Sequence, residues 1–134
     1  MVNVRIQCEI VIEHEDRVGL VAEVSRLLGD MGINLVSVAV RSNGEKASLA
    51  LVTSSQSHAA EALRAAGFSI VEREVVLMEL PHHPGFLSRI SEALARKEIT
   101  IEELYATAPE GSSTGVVVFR CSDNGNAVLL LRGR

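Results

Sequence analysis

The sequence predicts an α+β protein that contains two copies of one strand-and-helix pattern. Three observations support this: the sequence repeats with a shift of 66 positions, turn-forming glycines lie at the predicted element boundaries, and the composition is aliphatic. Of the 134 residues, 47% are hydrophobic but only 3% are aromatic. A chain of this length is suited to one average domain or to two very small ones.

The repeat is visible when the sequence is shifted by 66 positions. Gly19 then falls on Gly85, and Val24 falls on Ile90. The apolar positions between and after them also coincide, as far as Ile33 on Ile99. A repeat of about half the chain indicates two copies of one small fold.

Each element of the first copy has its own signal. Apolar residues between 20 and 28 recur with the spacing of an amphipathic helix, and Gly32 follows where a helix cap needs positive φ. Asn43-Gly44 is a hairpin signal between two β-rich runs. Strands are predicted over residues 5–12, 33–40, 47–53 and 68–72, and helices over 20–28 and 58–66, the second capped by Ser57.

Strand, helix, hairpin, helix and strand is the βαββαβ pattern of ferredoxin-like folds. The sequence therefore predicts two ferredoxin-like units in tandem, over residues 1–72 and 73–134. The second unit is expected to lack its last strand, because Gly67 corresponds to Gly133 in this alignment. The edge beside residues 75–80 should then be covered, either by another chain or by the long first strand of the first copy.

One segment of the second copy has two interpretations. The residues CSDNGNAVLLL, 121–131, fit a helix by the repeat. They also fit a hairpin that turns at Asn124-Gly125. The repeat favours the helix.

The composition excludes several classes of partner. A net charge of −4 and few aromatic side chains argue against nucleic-acid binding, which needs a basic surface or stacking platforms. The sequence shows neither a signal peptide nor an apolar run of the ~20 residues that span a membrane. We expect a cytoplasmic protein in which Cys8 and Cys121 are buried free thiols.

Polar side chains are concentrated between the first strand and the first helix, in the stretch HEDRVGLVAEV. A helix N-terminus suits a carboxylate, and Gly19 lets a ligand approach the backbone. Asp16 can bind an ammonium group, while His14 and Asn34 can form hydrogen bonds. Each residue also has a plain interpretation: Asp16 as a local cap, His14 as a surface histidine, and Gly19 as a packing glycine.

Residues 14–19 (HEDRVG) and 32–35 (GINL) resemble the motifs of the ACT domain, a small regulatory module that binds amino acids. The likeness is strongest to the serine-sensing ACT domain of phosphoglycerate dehydrogenase, which has an amide where Asp16 stands and proline where Val18 stands. The resemblance implies that the side chains of His14, Asp16 and Asn34 and the backbone of Val18, Gly19 and Leu20 bind the ligand.

The second copy retains fewer of these groups. Leu80 falls at the position of His14, and a weaker second site is expected at His82, Gly85, Phe86 and Thr100. The predicted protein is a non-catalytic regulator that binds an amino acid, requires no cofactor, forms a homodimer and acts on a metabolic enzyme in trans. The alternative is a ligand-free module for pairing with a partner chain.

Two other classes are disfavoured. The sequence contains no phosphate-binding glycine loop and no nucleophile motif that would suggest an enzyme. A metal sensor would need His82 and His83, which are adjacent and would point to opposite faces of an extended chain, together with His14 or Cys121. We therefore predict no catalytic residues and no metal ligands.

Overall fold

A computed structural model describes residues 3–81, 84–108 and 110–132 of the chain. Its strands are β1 (Asn3–Glu15), β2 (Leu35–Ser42), β3 (Lys46–Thr53), β4 (Ile70–Pro81), β5 (Ile101–Thr107) and β6 (Thr114–Cys121). Its helices are α1 (Leu20–Asp30), α2 (Gln56–Ala65), α3 (Phe86–Arg96) and α4 (Asn124–Leu131). Helices alternate with antiparallel strand pairs, which confirms the predicted α+β class.

The chain divides into two compact units. The first unit comprises Cys8–Arg73, and the second comprises Met1–Gln7 together with Glu74–Arg134. β1 and β4 each contribute one part to each unit, because the division falls inside both strands.

In the first unit the strand order is β2-β3-β1-β4. β1 and β3 are antiparallel, with Ile10 opposite Leu51 and His14 opposite Ala47. The alternate residues of these strands pack with α1 and α2 in one aliphatic core. Its largest members are Ile10, Ile12, Leu20, Leu28, Ile33, Leu49, Leu51, Leu63 and Phe68.

In the second unit the strand order is β1-β4-β6-β5, in which β1 is represented by its first residues. Val4 is only 5% exposed and belongs to the core cluster that contains Val76 and Met78. The Asn3 side-chain amide donates a hydrogen bond of 3.0 Å to Glu79. The edge beside β4 is therefore covered by the first strand of the same chain. This strand is one of the two covers that the sequence predicted.

Within this segment residues 124–131 form helix α4, so the hairpin interpretation is wrong. α4 begins after Asp123, whose carboxylate accepts a hydrogen bond of 3.1 Å from the backbone N–H of Asn126. The Asn124 side chain accepts another, of 3.0 Å, from the backbone N–H of Cys121. Asp and Asn favour helix N-caps as well as turns, which is why the local signal was ambiguous.

The shift between the two copies changes along the chain. Ser55 precedes α2 and Asp123 precedes α4, which are 68 positions apart rather than 66. The cause is the connection between β5 and β6, which is longer than the one between β2 and β3. Gly67 therefore has no counterpart at Gly133, which lies outside the described residues.

The first unit buries one charged residue in its sheet. The Glu9 side chain is completely buried, and its carboxylate accepts a hydrogen bond of 2.9 Å from Nε of Arg73. Glu9 lies in β1 and Arg73 in β4, so the ion pair joins these strands.

The two cysteines are free thiols, but only Cys121 is buried and Cys8 is half-buried. Burial raises the pKa of the Cys121 thiol, and the nearby carboxylates of Asp123 and Glu102 act in the same direction. A hydrogen bond from the Asp123 backbone opposes them. The raised pKa keeps this thiol protonated and unreactive near neutral pH.

Candidate functional site

The junction between β1 and α1 has a backbone conformation that requires glycine. Gly19 is the N-cap of α1 and has φ 87°. Gly85 is the N-cap of α3 and has the same φ. A Cβ atom at either position would meet no other atom within 4 Å, so conformation and not space selects glycine here. The packing role considered for Gly19 is therefore wrong.

Asp16 is fixed against the hairpin between β2 and β3. Its backbone N–H donates a hydrogen bond of 2.9 Å to the carbonyl of Glu45. Its carboxylate accepts a short hydrogen bond from the hydroxyl of Ser42, the last residue of β2. Asp16 is exposed, so its carboxylate remains accessible.

His14 lies near the end of β1 and is half-buried. Its Nδ1 is 2.8 Å from the carbonyl oxygen of Glu15, and a carbonyl can only accept. Nδ1 is therefore the donor, and in the neutral ring Nε2 is left as an acceptor. The imidazole packs edge-on against Phe68, with the ring centroids 5.7 Å apart.

The remaining predicted residues of the first junction differ in accessibility. Val18 is fully exposed, whereas the Leu20 side chain is buried in the core. The Leu20 N–H donates a long hydrogen bond of 3.3 Å to Arg17, so this donor closes the turn. Asn34 is exposed, and its backbone forms hydrogen bonds of 2.9 and 3.0 Å with Ser54. It lies at the opposite end of the sheet from the junction, because the next residue, Leu35, is opposite Thr53 whereas His14 is opposite Ala47.

An open groove of about 640 Å³, which we call the first groove, lies at this end of the first unit. It is lined by Glu13, His14, Arg41, Ser42, Asn43, Lys46, Ala47, Ser48 and Ser69. Of the predicted ligand-binding residues only His14 lines it. Asp16 is connected to its wall through the hydrogen bond from Ser42.

The other lining residues were missed from the sequence. Arg41 and Lys46 flank the predicted Asn43-Gly44 turn, which was the available signal that they lie at a sheet end. Their position next to β1 depends on the strand register, which joins Ser48 to both Glu13 and Arg41. The pairing of β1 with β3 joins strands that are not adjacent in the sequence.

The second unit has a groove of about 410 Å³ at its own junction, which we call the second groove. Gly85 and Phe86 line it, as do Leu80, Pro81, Val116 and Val117, among others. Among the described residues, its lining carries no charged side chain. Thr100 is exposed and its backbone bonds to Ser122, but it lies at the opposite end of the sheet from Gly85, because Ile101 is opposite Cys121 whereas Pro81 is opposite Thr114. His82, the fourth residue predicted there, lies outside the described residues.

Neither metal binding nor membrane insertion finds support in the described residues. They contain no cluster of three or more His, Cys, Asp or Glu side chains that could hold a metal ion. His82 and His83, on which the metal hypothesis depended, are outside them. Within the same residues, no helix is long and apolar enough to span a membrane.

The protein therefore belongs to a class of small α+β folds in which a glycine with positive φ lies between the first strand and an amphipathic helix. The family model of the ACT domain matches residues 9–68, which span most of the first unit and its junction. No curated protein sequence matches the chain.

Several solved structures share the fold. The crystal structure of protein BT0572 from Bacteroides thetaiotaomicron matches with a TM-score of 0.88 and 25% identity, over 96% of this chain and 88% of that chain. The ligand-free regulatory subunit of aspartate kinase from Thermus thermophilus matches with a TM-score of 0.73 and 17% identity, over 96% and 93%. A putative C-terminal regulatory domain of aspartate kinase from Porphyromonas gingivalis matches with a TM-score of 0.58 and 16% identity, over 98% and 94%.

Proposed function

We propose that the chain is a non-catalytic regulatory protein, built from two ACT domains over residues 1–72 and 73–134, that binds an amino acid. The observation that best supports this is the position of the first groove. It lies next to a junction that falls within the ACT match, with His14 on its wall and Asp16 bonded to that wall through Ser42.

The first junction offers complementary groups to both ends of an α-amino acid. The N-terminus of α1, at Gly19 and Leu20, presents partial positive charge to the ligand carboxylate. The carboxylate of Asp16 binds the ammonium group, and His14 supplies a hydrogen bond. Asn34 lies at the other end of the sheet in this unit, so we propose that it supplies a hydrogen bond only to a site formed with a partner copy. Val18 adds a backbone contact.

The second junction is proposed to bind the same ligand weakly. It has the helix N-terminus at Gly85 and Phe86, but Leu80 replaces His14 and the described lining is uncharged. His82 and Thr100 replace Asp16 and Asn34. Without a carboxylate for the ammonium group, this site lacks a charge-assisted hydrogen bond.

The structural neighbours support a regulatory role. Two of them are a regulatory subunit and a putative regulatory domain of aspartate kinase. We propose that this chain acts in the cytoplasm on a metabolic enzyme, as a separate homodimeric protein.

A ligand-free assembly module is the second candidate, and one observation favours it. β2 is the outer strand of the first unit, and its Val36, Val38 and Val40 are each more than 40% exposed. An exposed apolar edge strand is a template for pairing with another chain. The same edge can form the homodimer of the sensor, so ligand binding is what separates the two candidates.

Thermal unfolding of the chain in the presence of each of the twenty amino acids tests the proposal. We expect a selective rise of the midpoint for one amino acid or a few chemically related ones, because a ligand that binds only the native state stabilises it by RT ln(1 + [L]/Kd). No rise with any amino acid, combined with a dimeric mass in centrifugation, would instead support the assembly module.

A further inference from the structure

A row of three residues crosses β1, β3 and β2 on the face of the sheet that packs with α1 and α2. His14 of β1 lies opposite Ala47 of β3, and Ala47 lies opposite Ser42, the last residue of β2. Ala47 belongs to the aliphatic core under these helices, and residues directly opposite each other point to the same face of a sheet. Ser42 is therefore on the side that carries α1, and with it the junction at Gly19.

The hydroxyl of Ser42 joins the β2–β3 hairpin to this junction. It donates a hydrogen bond to Oδ2 of Asp16 and accepts one of 3.1 Å from the backbone N–H of Gly44. Ser42 and Asp16 are 26 positions apart in the sequence, so their bond is not a contact within one turn. The backbone N–H of Asp16 also donates to the carbonyl of Glu45 in the same hairpin. The hairpin thus holds both the backbone and the carboxylate of Asp16.

The carboxylate of Asp16 can accept a further donor while it is held in this way. An ionised carboxylate has about four acceptor positions, and the Ser42 hydroxyl uses one of them. The neighbouring cation, Arg17, pairs with Glu23 of α1, and Asp16 itself is exposed. An ammonium group can therefore bind Asp16 without displacing the hydrogen bond from Ser42.

We propose that Ser42 is a positioning residue of the amino-acid site, because it holds the Asp16 carboxylate in the orientation that receives the ammonium group of the ligand. This inference rests on the proposed function, in which Asp16 binds that group. A side chain that is already held loses less conformational freedom when a ligand binds, and ordering one free side chain weakens binding about three- to tenfold. Ser42 acts through Asp16 and does not have to touch the ligand.

The second unit supplies a matched control. Ser112 lies in the connection between β5 and β6, which corresponds to the hairpin between β2 and β3. Its hydroxyl donates a hydrogen bond of 3.0 Å to the carbonyl of Thr114 and accepts one of 3.3 Å from the backbone N–H of the same residue. Ser112→Ala therefore removes a hydroxyl that closes a turn, as Ser42→Ala does, but leaves the junction of the first unit intact.

Isothermal titration of the full chain and its variants, with the amino acid that gives the largest thermal shift, tests the positioning role. We expect Ser42→Ala to weaken binding about three- to tenfold, and Ser42→Thr, which keeps the hydroxyl, to bind within about twofold of the wild-type chain. Ser112→Ala should leave the affinity unchanged. The double variant Asp16→Ala/Ser42→Ala should bind no more weakly than Asp16→Ala alone, because the hydroxyl acts only through the carboxylate.

The outcomes separate the two proposals. If Ser42→Ala binds as tightly as Ser112→Ala, if Ser42→Thr does not restore binding, or if the losses of the two single variants multiply in the double variant, the positioning role is wrong and the amino-acid sensor stands. If none of the twenty amino acids shifts the thermal midpoint or gives a heat of binding, the proposed function itself fails, and the positioning role fails with it.

Discussion

Replacing Arg73 by methionine should lower the free energy of unfolding by about 2–3 kcal/mol, less than the cost of breaking a fully buried ion pair, because the Arg73 side chain is 30% exposed. The Glu9 side chain is completely buried and accepts a hydrogen bond from Nε of Arg73. The variant removes that donor and leaves the glutamate in a medium of low polarity. Urea denaturation of the wild-type chain and the variant measures the difference.

Two companion variants make this result specific. Arg64 pairs with Glu72 at 3.0 Å, but its side chain is 54% exposed, so Arg64→Met should cost at most about 1 kcal/mol. A double variant with methionine at positions 9 and 73 should recover much of the loss, because an apolar pair can replace a buried ion pair. Equal losses for Arg64→Met and Arg73→Met would show that the buried pair has no special role.

Replacing Val4 by aspartate should cost about 3 kcal/mol or more, because it places a carboxylate in the core of the second unit. Val4 is 5% exposed and packs in the cluster of Val76 and Met78. The destabilised amides should be those of residues 74–132, although the change lies near the other end of the sequence. Hydrogen exchange measured by mass spectrometry locates them.

Ile6→Asp is the control, because Ile6 lies in the same strand and is 38% exposed. It should cost about 1 kcal/mol or less, as most exposed substitutions do. Similar costs for Val4→Asp and Ile6→Asp, or protection lost first in residues 8–73, would contradict the placement of the first strand in the second unit.

The sequence predicted the elements of the fold because their signals are local and occur twice. The helical spacing after Gly19 returns after Gly85, and both segments are helices. For residues 121–131 the local signal was ambiguous, and the repeat gave the correct helix. Because the pattern occurs twice, an ambiguous turn signal in one copy can be checked against the same position in the other copy.

Other features depend on contacts between distant parts of the chain. The sequence offered two covers for the edge beside β4, and spacing could not show that residues 3–7 provide it. Glu9 was not predicted to be buried, because its partner Arg73 is 64 positions away. The first groove was missed for the same reason, since the register of β1, β2 and β3 assembles it.

Calorimetric titration of the chain with the amino acid that gives the largest thermal shift tests the asymmetry of the two junctions most directly. We predict one strong site per chain, a loss of affinity of about tenfold or more in Asp16→Ala, and little change in His82→Ala. Two equally strong sites per chain, or equal losses in the two variants, would contradict the assignment of the ligand to the first junction.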